Sequence, residues 1–104
     1  MRKRRYEMLL PLTHNDGRPV DPAKHERTHE ELVAKFGALS RLPATVRGVW
    51  VHEGQRYEED FIRLFVDVPD TQANRKFFVR LKATLLERFE QLEIYIASHA
   101  VDIL

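Results

Sequence analysis

The order in which segments of helical and of strand-like hydrophobic periodicity follow one another constrains the fold of this chain more than any other feature. Two segments repeat apolar side chains at helical spacing, one between Asp21 and Gly37 and one over residues 73–91. Four other segments alternate apolar and polar side chains, which is the period of a β-strand. They span residues 6–12, 46–52, 57–68 and 92–97. The predicted order is therefore strand, helix, strand, strand, helix, strand.

The residues that bound the first helix have distinct roles. Asp21 can accept hydrogen bonds from the free amides of the first turn, and Pro22 suits the first helical position. Gly37 is well placed for a left-handed C-cap. The apolar stripe of this helix is expected to include Leu32 and Val33.

This order predicts an α+β fold of the ferredoxin-like kind, βαββαβ, with a four-stranded antiparallel sheet and both helices on one face. Right-handed crossovers place the first and third strands at the centre. A length of 104 residues, 43% of them hydrophobic, suits a single domain over residues 1–104. Residues 1–5, which contain the basic run from Arg2 to Arg5, are expected to form a disordered N-terminus.

The composition excludes several classes of function. The 17 basic and 16 acidic residues leave a formal net charge of +1, which creates no strong field for nucleic acid or an anionic membrane. Because the chain has no cysteine, disulfides, thiol catalysis and cysteine-bound zinc are excluded. No stretch approaches the roughly 18 apolar residues of a membrane span, and no targeting signal is recognised. We expect a cytoplasmic protein without a membrane partner.

The sheet face opposite the helices carries the candidate functional residues. The unbroken alternation of the third strand assigns Ile62, Leu64 and Val66 to the helix side, so the side chains between them face outward. On this open face, a ligand site or interface is expected from Leu9, Val49, Val51, Phe61, Arg63, Phe65, Asp67 and Tyr95. Such a face is too apolar for contact with water, and an apolar patch usually marks a contact surface.

Several occupants of the open face are compatible with the sequence. A second copy of the chain is favoured, which predicts a homodimeric binding module without a cofactor or enzymatic activity. A small apolar ligand is the next candidate. It would make the protein a cofactor-free enzyme, with Arg63, Asp67, His52 or Tyr95 as polar groups.

Two further occupants are weaker candidates. RNA bases could stack on the aromatic side chains. Nucleic acid is disfavoured, however, because the central strands lack the run of glycine and aromatic residues that RNA-recognition modules carry. The C-terminal segment could also fold over the face.

One motif matches a metal site. The pentapeptide from His25 to His29 reads H-E-x-x-H, a spacing that places two zinc-binding imidazoles on one helical face with Glu26 as general base. Charged neighbours such as Arg27 surround the pair here, and no third ligand follows at a familiar spacing. We therefore expect two ordinary helix histidines and no resident metal.

The acidic run Glu58-Glu59-Asp60 is the other candidate for side-chain chemistry. Paired carboxylates can perform acid–base catalysis or hold a hard cation. A run of acids at a hairpin is more typical of a solvated turn, and this interpretation is preferred. No phosphate-binding glycine loop and no serine nucleophile motif occur in the sequence.

Short pieces spread over the chain resemble a family of short bacterial proteins of uncharacterised function. The resemblance rests on Asn15-Asp16-Gly17, Glu31-Leu32, Lys35-Phe36-Gly37, Gly48-Val49-Trp50, Gly54, Tyr57, Arg88-Phe89-Glu90-Gln91 and Ile94-Tyr95-Ile96. It implies a ferredoxin-like fold and no particular activity. The predicted fold also resembles dimeric α+β barrel proteins, which pair open sheet faces, sometimes around a small-molecule cleft.

Overall fold

Six elements follow one another in the predicted order. The structure is a computed structural model that describes the backbone of residues 1–104 and every side chain except that of Pro43. The elements are β1 (Arg2–Pro11), α1 (Pro22–Phe36), β2 (Ser40–His52), β3 (Gln55–Val68), α2 (Gln72–Arg88) and β4 (Tyr95–Asp102). The predicted α+β class, with antiparallel strands and two helices, is confirmed. Neither described helix combines the length and apolar character needed to cross a membrane.

The strands lie side by side in the order β2-β3-β1-β4, so β1 and β3 are central as predicted. An isolated bridge between Thr13 and Pro19 adds a further paired segment, which the prediction of four strands leaves out. This bridge closes the turn after β1, where the His14 amide donates to the Arg18 carbonyl at 2.7 Å. The turn leads directly into α1, which begins at Pro22.

The predicted helix caps are confirmed. The Asp21 side chain accepts a hydrogen bond from the Ala23 amide at 3.0 Å, and Pro22 is the first residue of α1. Gly37 ends α1 with a φ of 74°, the left-handed conformation that glycine adopts without strain. At the start of α2, Thr71 Oγ1 accepts from the Asn74 amide at 3.2 Å. These local bonds determine where each helix begins, independently of its packing.

One hydrophobic core lies between the sheet and the helices. β1 and β3 supply alternate side chains, and the helices supply their inward stripes. The Tyr6 ring stacks on Phe78 with 3.8 Å between centroids, which joins β1 to α2. The core consists of Tyr6, Met8, Leu10, Val20, Leu32, Ile62, Leu64, Val66, Val68, Phe78, Leu81, Leu85, Phe89 and Ile94.

Two apolar residues of the predicted helix and strand segments are exposed. Val33 is 44% exposed, because the inward stripe of α1 uses Thr28 instead. Thr28 is fully buried, and its hydroxyl donates to the Lys24 carbonyl at 2.9 Å, which satisfies the polar group inside the helix. Leu92 is 54% exposed, since β4 begins only at Tyr95.

The basic N-terminus belongs to the sheet, so the expectation of a disordered segment over residues 1–5 is wrong. β1 begins at Arg2. Arg4 Nε donates to Asp70 Oδ1 at 2.9 Å, and Arg4 Nη1 donates to Ser98 Oγ at 3.1 Å. Cross-strand partners therefore hold a basic segment that composition alone would leave in solvent.

β2 is longer than predicted because an irregularity divides it. It begins at Ser40, well before the predicted start at Val46. A register shift between Leu42 and Val46 leaves the residues between them opposite Ile62 of β3. A bulge of this kind keeps the pairing on both sides but breaks the simple alternation that sequence patterns detect.

The core makes a quantitative prediction for Phe89, which is fully buried. Phe89→Ala should lower the free energy of unfolding by about 3–5 kcal/mol, because it removes a large apolar side chain and leaves a cavity. Leu92→Ala, at the 54% exposed neighbour, should change it by less than about 0.5 kcal/mol. Urea denaturation of both variants measures the difference. Similar losses of free energy of unfolding in the two variants would contradict the burial of Phe89.

Candidate ligand site on the open sheet face

The strand register assigns each side chain to a face, because residues paired across strands point the same way. Leu9 lies opposite Arg63 on β3 and opposite Tyr95 on β4. The side chains that alternate with the core positions of β3 lie on the same face as Arg63. The predicted site residues that share this open face are Leu9, Phe61, Arg63, Phe65, Asp67 and Tyr95. Their role in binding stays a prediction.

Val49 and Val51 lie on the opposite face, so their assignment to the open face is wrong. They pair with Glu58 and Arg56, and the open-face position between them belongs to Trp50. The error has a physical cause. This part of the β2–β3 hairpin extends past the helices, so the two valines are 53% and 68% exposed and their apolar character does not mark a buried face.

Ion pairs cover the part of the open face formed by β1 and the end of β3. Arg5 Nε and Nη2 donate to the two oxygens of Asp67 at 2.8 and 3.0 Å. The same guanidinium lies 4.1 Å from the centroid of the Phe65 ring. Hydrogen bonding from Arg5 lowers the pKa of the Asp67 carboxyl, and Arg63 pairs with Glu7. These charged groups are therefore already engaged with one another.

The other part of the open face carries four side chains that we call the hairpin cluster: Trp50, Tyr57, Glu59 and Phe61. The Trp50 and Tyr57 rings are stacked, with 4.5 Å between centroids and 18° between planes. The Phe61 ring lies over Gly48, where a Cβ atom would come within 2.5 Å of Phe61 Cε2. Only glycine allows the ring to lie this close to β2, so Gly48 shapes the cluster.

Glu59 is the unusual member of the hairpin cluster. It is only 6% exposed, although it lies on a sheet face that no other element covers. Its Oε1 atom is buried and has no hydrogen-bond partner. Burial raises the pKa of the Glu59 carboxyl, and hydrogen bonding from the Trp50 side chain acts in the opposite direction. The group therefore keeps its proton to a higher pH than an exposed glutamate and can act as donor or acceptor.

The interpretation of residues 58–60 as a solvated turn misses Glu59. Its neighbours Glu58 and Asp60 do pair with surface arginines. Glu59 differs because it alternates with Tyr57 and Phe61 and lies opposite a glycine. Aromatic residues on both sides of an acid at period two are the signal that sequence reasoning could have used.

The H-E-x-x-H histidines lie on the other side of the sheet. His25 Nε2 is 3.0 Å from the Pro11 carbonyl oxygen, and the His25 ring meets Phe89 edge to face at 5.0 Å. Among the described residues, no three His, Cys, Asp or Glu side chains form a group that could hold a metal ion. The structure brings His25 and His29 to the wall of one cavity.

A family model shows where the chain belongs. Residues 4–92 match the model described as fibronectin type III domain, SaeA sixth domain. The chain belongs to this family. Fibronectin type III domains are sandwiches of two β-sheets, whereas this member has one sheet with two helices on one side. The family name therefore does not describe the fold found here. No curated protein matches the chain by sequence.

Two solved structures share the fold. A phage SAM lyase in complex with S-methyl-5′-thioadenosine has a TM-score of 0.66 at 13% identity, over 97% of this chain and 90% of that one. A phage SAM lyase in the apo state has a TM-score of 0.54 at 13% identity, over 98% of this chain and 89% of that one. At this identity the likeness shows the fold alone.

The raised pKa of Glu59 predicts a specific pH dependence. Because the folded state favours the protonated carboxyl, the stability that this group contributes is complete below its unfolded pKa and is lost as pH rises through its folded pKa. Glu59→Gln cannot ionise. Its free energy of unfolding relative to wild type should therefore increase between about pH 4 and pH 8.

Glu58→Gln is the matched control, since Glu58 is an exposed neighbour on the same strand. Urea denaturation at both pH values measures the free energy of unfolding of wild type, Glu59→Gln and Glu58→Gln. The free energy of unfolding of Glu58→Gln relative to wild type should not rise with pH as it does for Glu59→Gln. If the difference in free energy of unfolding between Glu59→Gln and wild type does not change with pH, Glu59 is solvated.

Proposed function

We propose that this protein is a ferredoxin-like binding module whose open sheet face pairs with a second copy of the chain. The buried, unpartnered Oε1 of Glu59 carries this proposal. A buried acceptor without a donor costs about 1–3 kcal/mol. The isolated chain bears this cost on its open face, where a partner or a ligand can supply the missing donor. A cytoplasmic location is part of the same proposal.

The apolar side chains of the open face support self-association. Leu9 and Phe65 lie half-buried on the central strands, and Tyr95 is 56% exposed on β4. An antiparallel sheet face in water is normally polar, so these side chains favour a contact surface. Symmetric pairing of identical faces is the commonest way in which soluble chains associate.

RNA is not favoured as the occupant of this face. Two of the four basic residues of the N-terminus are engaged within the chain, since Arg4 bonds Asp70 and Arg5 bonds Asp67. Breaking these pairs would offset much of the gain from phosphate contacts.

Self-association predicts that a charge on the open face breaks the dimer and leaves the fold intact. Tyr95→Glu places the charge in water in the monomer but leaves it unpaired in a dimer interface, at a cost of several kcal/mol of association. Val79→Glu is the matched control, because Val79 is 65% exposed on α2, away from the sheet. Sedimentation equilibrium measures the mass, and circular dichroism reports the fold. Wild-type protein that remains monomeric at millimolar concentration would contradict the pairing.

A cofactor-free enzyme is the second candidate, and the state of Glu59 favours it. A carboxyl whose pKa is raised by burial is suited to general acid–base chemistry. Of the polar groups expected in such a site, Arg63 and Asp67 are held in ion pairs. His52 remains beside the cluster, with its ring centroid 6.0 Å from that of Trp50.

The hairpin cluster suits a flat ligand with a hydrogen-bond donor. Stacked rings offer an aromatic surface, and Glu59 offers an acceptor that lacks a partner. The S-methyl-5′-thioadenosine of the similar phage SAM lyase structure has these features, since its adenine is flat and carries an amino group. This nucleoside is therefore a rational first ligand to test.

Trp50 is the only tryptophan of the chain, so intrinsic fluorescence reports directly on the cluster. Titration with S-methyl-5′-thioadenosine should give a saturable change in that fluorescence. Glu59→Leu removes both carboxyl oxygens and should weaken binding by about tenfold, the effect of losing one hydrogen bond. Glu58→Leu should bind like wild type. If the fluorescence does not change, the nucleoside ligand is wrong, and self-association is judged separately by sedimentation.

A further inference from the structure

A separate cavity lies between the first turns of α1 and the sheet, on the face opposite the hairpin cluster. Its volume is about 370 Å³, enough for a small ligand with a few waters. The apolar part of its wall comes from β3 and from the segment that joins β1 to α1. Its lining residues are Leu12, Val20, Pro22, His25, Glu26, His29, Arg41 and Ile62.

Two histidine nitrogens of this wall are buried without partners. His25 is 9% exposed, and its Nε2 lies 3.0 Å from the Pro11 carbonyl oxygen. Because a carbonyl can only accept, Nε2 carries the proton and Nδ1 of the neutral ring holds the lone pair. His25 Nδ1 has no hydrogen-bond partner, and neither has His29 Nε2. Buried polar atoms of native proteins nearly always have partners, so these two nitrogens are candidate contacts for a bound group.

Charged groups of both signs act on the pair, Arg41 as a cation and Glu26 and Glu30 as acids. Burial lowers the pKa of His25, with His29 and Arg41 acting in the same direction and the Pro11 carbonyl opposing them. Burial also lowers the pKa of His29, where Arg41 adds to the effect and the nearby acids Glu26 and Glu30 oppose it. The ring packed on His25 belongs to the uncharged Phe89, the residue that follows α2.

We propose that this cavity binds a small oxyanion when His25 and His29 are protonated. In the neutral state each ring leaves one nitrogen without a partner. Protonation turns His25 Nδ1 into an N–H donor, and the anion then accepts from it, from His29 and from Arg41. The anion replaces the lost hydration of the two imidazolium groups, so binding takes up protons from solvent and no covalent bond changes. A phosphate monoester and a carboxylate share this chemistry.

Arg41 distinguishes this site from a metal centre. Its positive charge disfavours both imidazolium groups and would also disfavour a divalent cation beside them, whereas Glu26 and Glu30 act in the opposite direction on His29. An anion removes that repulsion. The α1 amides add little, because the Asp21 side chain and carbonyl already accept from Ala23 and Lys24.

Sulfate is the probe that tests the proposal, because it stays a dianion between pH 5.5 and pH 8 and any pH dependence comes from the protein. Calorimetry at constant ionic strength in chloride should show sulfate binding at pH 5.5 that is at least about tenfold tighter than at pH 8. Arg41→Gln should weaken binding at pH 5.5 by about tenfold or more. Arg47→Gln, an exposed arginine of the same strand outside the cavity, should bind like wild type.

A second measurement avoids substitution of the buried histidine. In wild-type protein, sulfate should raise the midpoints at which the His25 and His29 ring signals titrate by nuclear magnetic resonance. Titrations with methyl phosphate and with acetate then assign the class of oxyanion. Sulfate affinity that is equal at both pH values, or unchanged in Arg41→Gln, would overturn the proposal. So would stoichiometric Zn²⁺ binding at pH 8 that is lost in His29→Gln.

Discussion

The whole arrangement depends on the pairing of β3 with β1 on one side and β2 on the other. Because side chains alternate along a strand, this single register sends Ile62, Leu64 and Val66 toward the helices and the residues between them to the open face. A shift by one residue would exchange the hydrophobic core for the ion pairs and the aromatic cluster. Packing of Tyr6 on Phe78 and the burial of Phe89 make that exchange very unfavourable.

Sequence patterns correctly predict the parts of this molecule whose structure follows from local chemistry. The alternation in β3 and the caps at Asp21 and Gly37 follow from local chemistry, and the structure confirms them. The face of β2 depends on a bulge and on its partner strand, so alternation alone predicts the wrong face for Val49 and Val51. Residues 1–5 are ordered partly through hydrogen bonds to distant carboxylates such as Asp70, which no local sequence pattern reveals.

Site chemistry was harder to predict than the fold for a related reason. Glu58, Glu59 and Asp60 are chemically alike, and the buried acid differs from its neighbours through the flanking Tyr57 and Phe61 and the pairing across to Gly48. In the histidine motif, the residue types point to a ligand that the surrounding structure does not favour. Its spacing matches a zinc site, but the unpartnered ring nitrogens beside Arg41 favour an anion. Residue types suggest a reaction, while burial and charge determine which ligand fits.

The extension of the β2–β3 hairpin has a consequence for dynamics. β1 pairs with β3 only as far as Phe61, so residues 55–59 pair with β2 alone. Trp50, Tyr57 and Glu59 therefore lie on a two-stranded ribbon, which opens more easily than the core. In hydrogen exchange, amides of this ribbon should exchange through local opening while those of central β1 require global unfolding. Occupancy of the cluster would then slow exchange in the ribbon with little effect on the core.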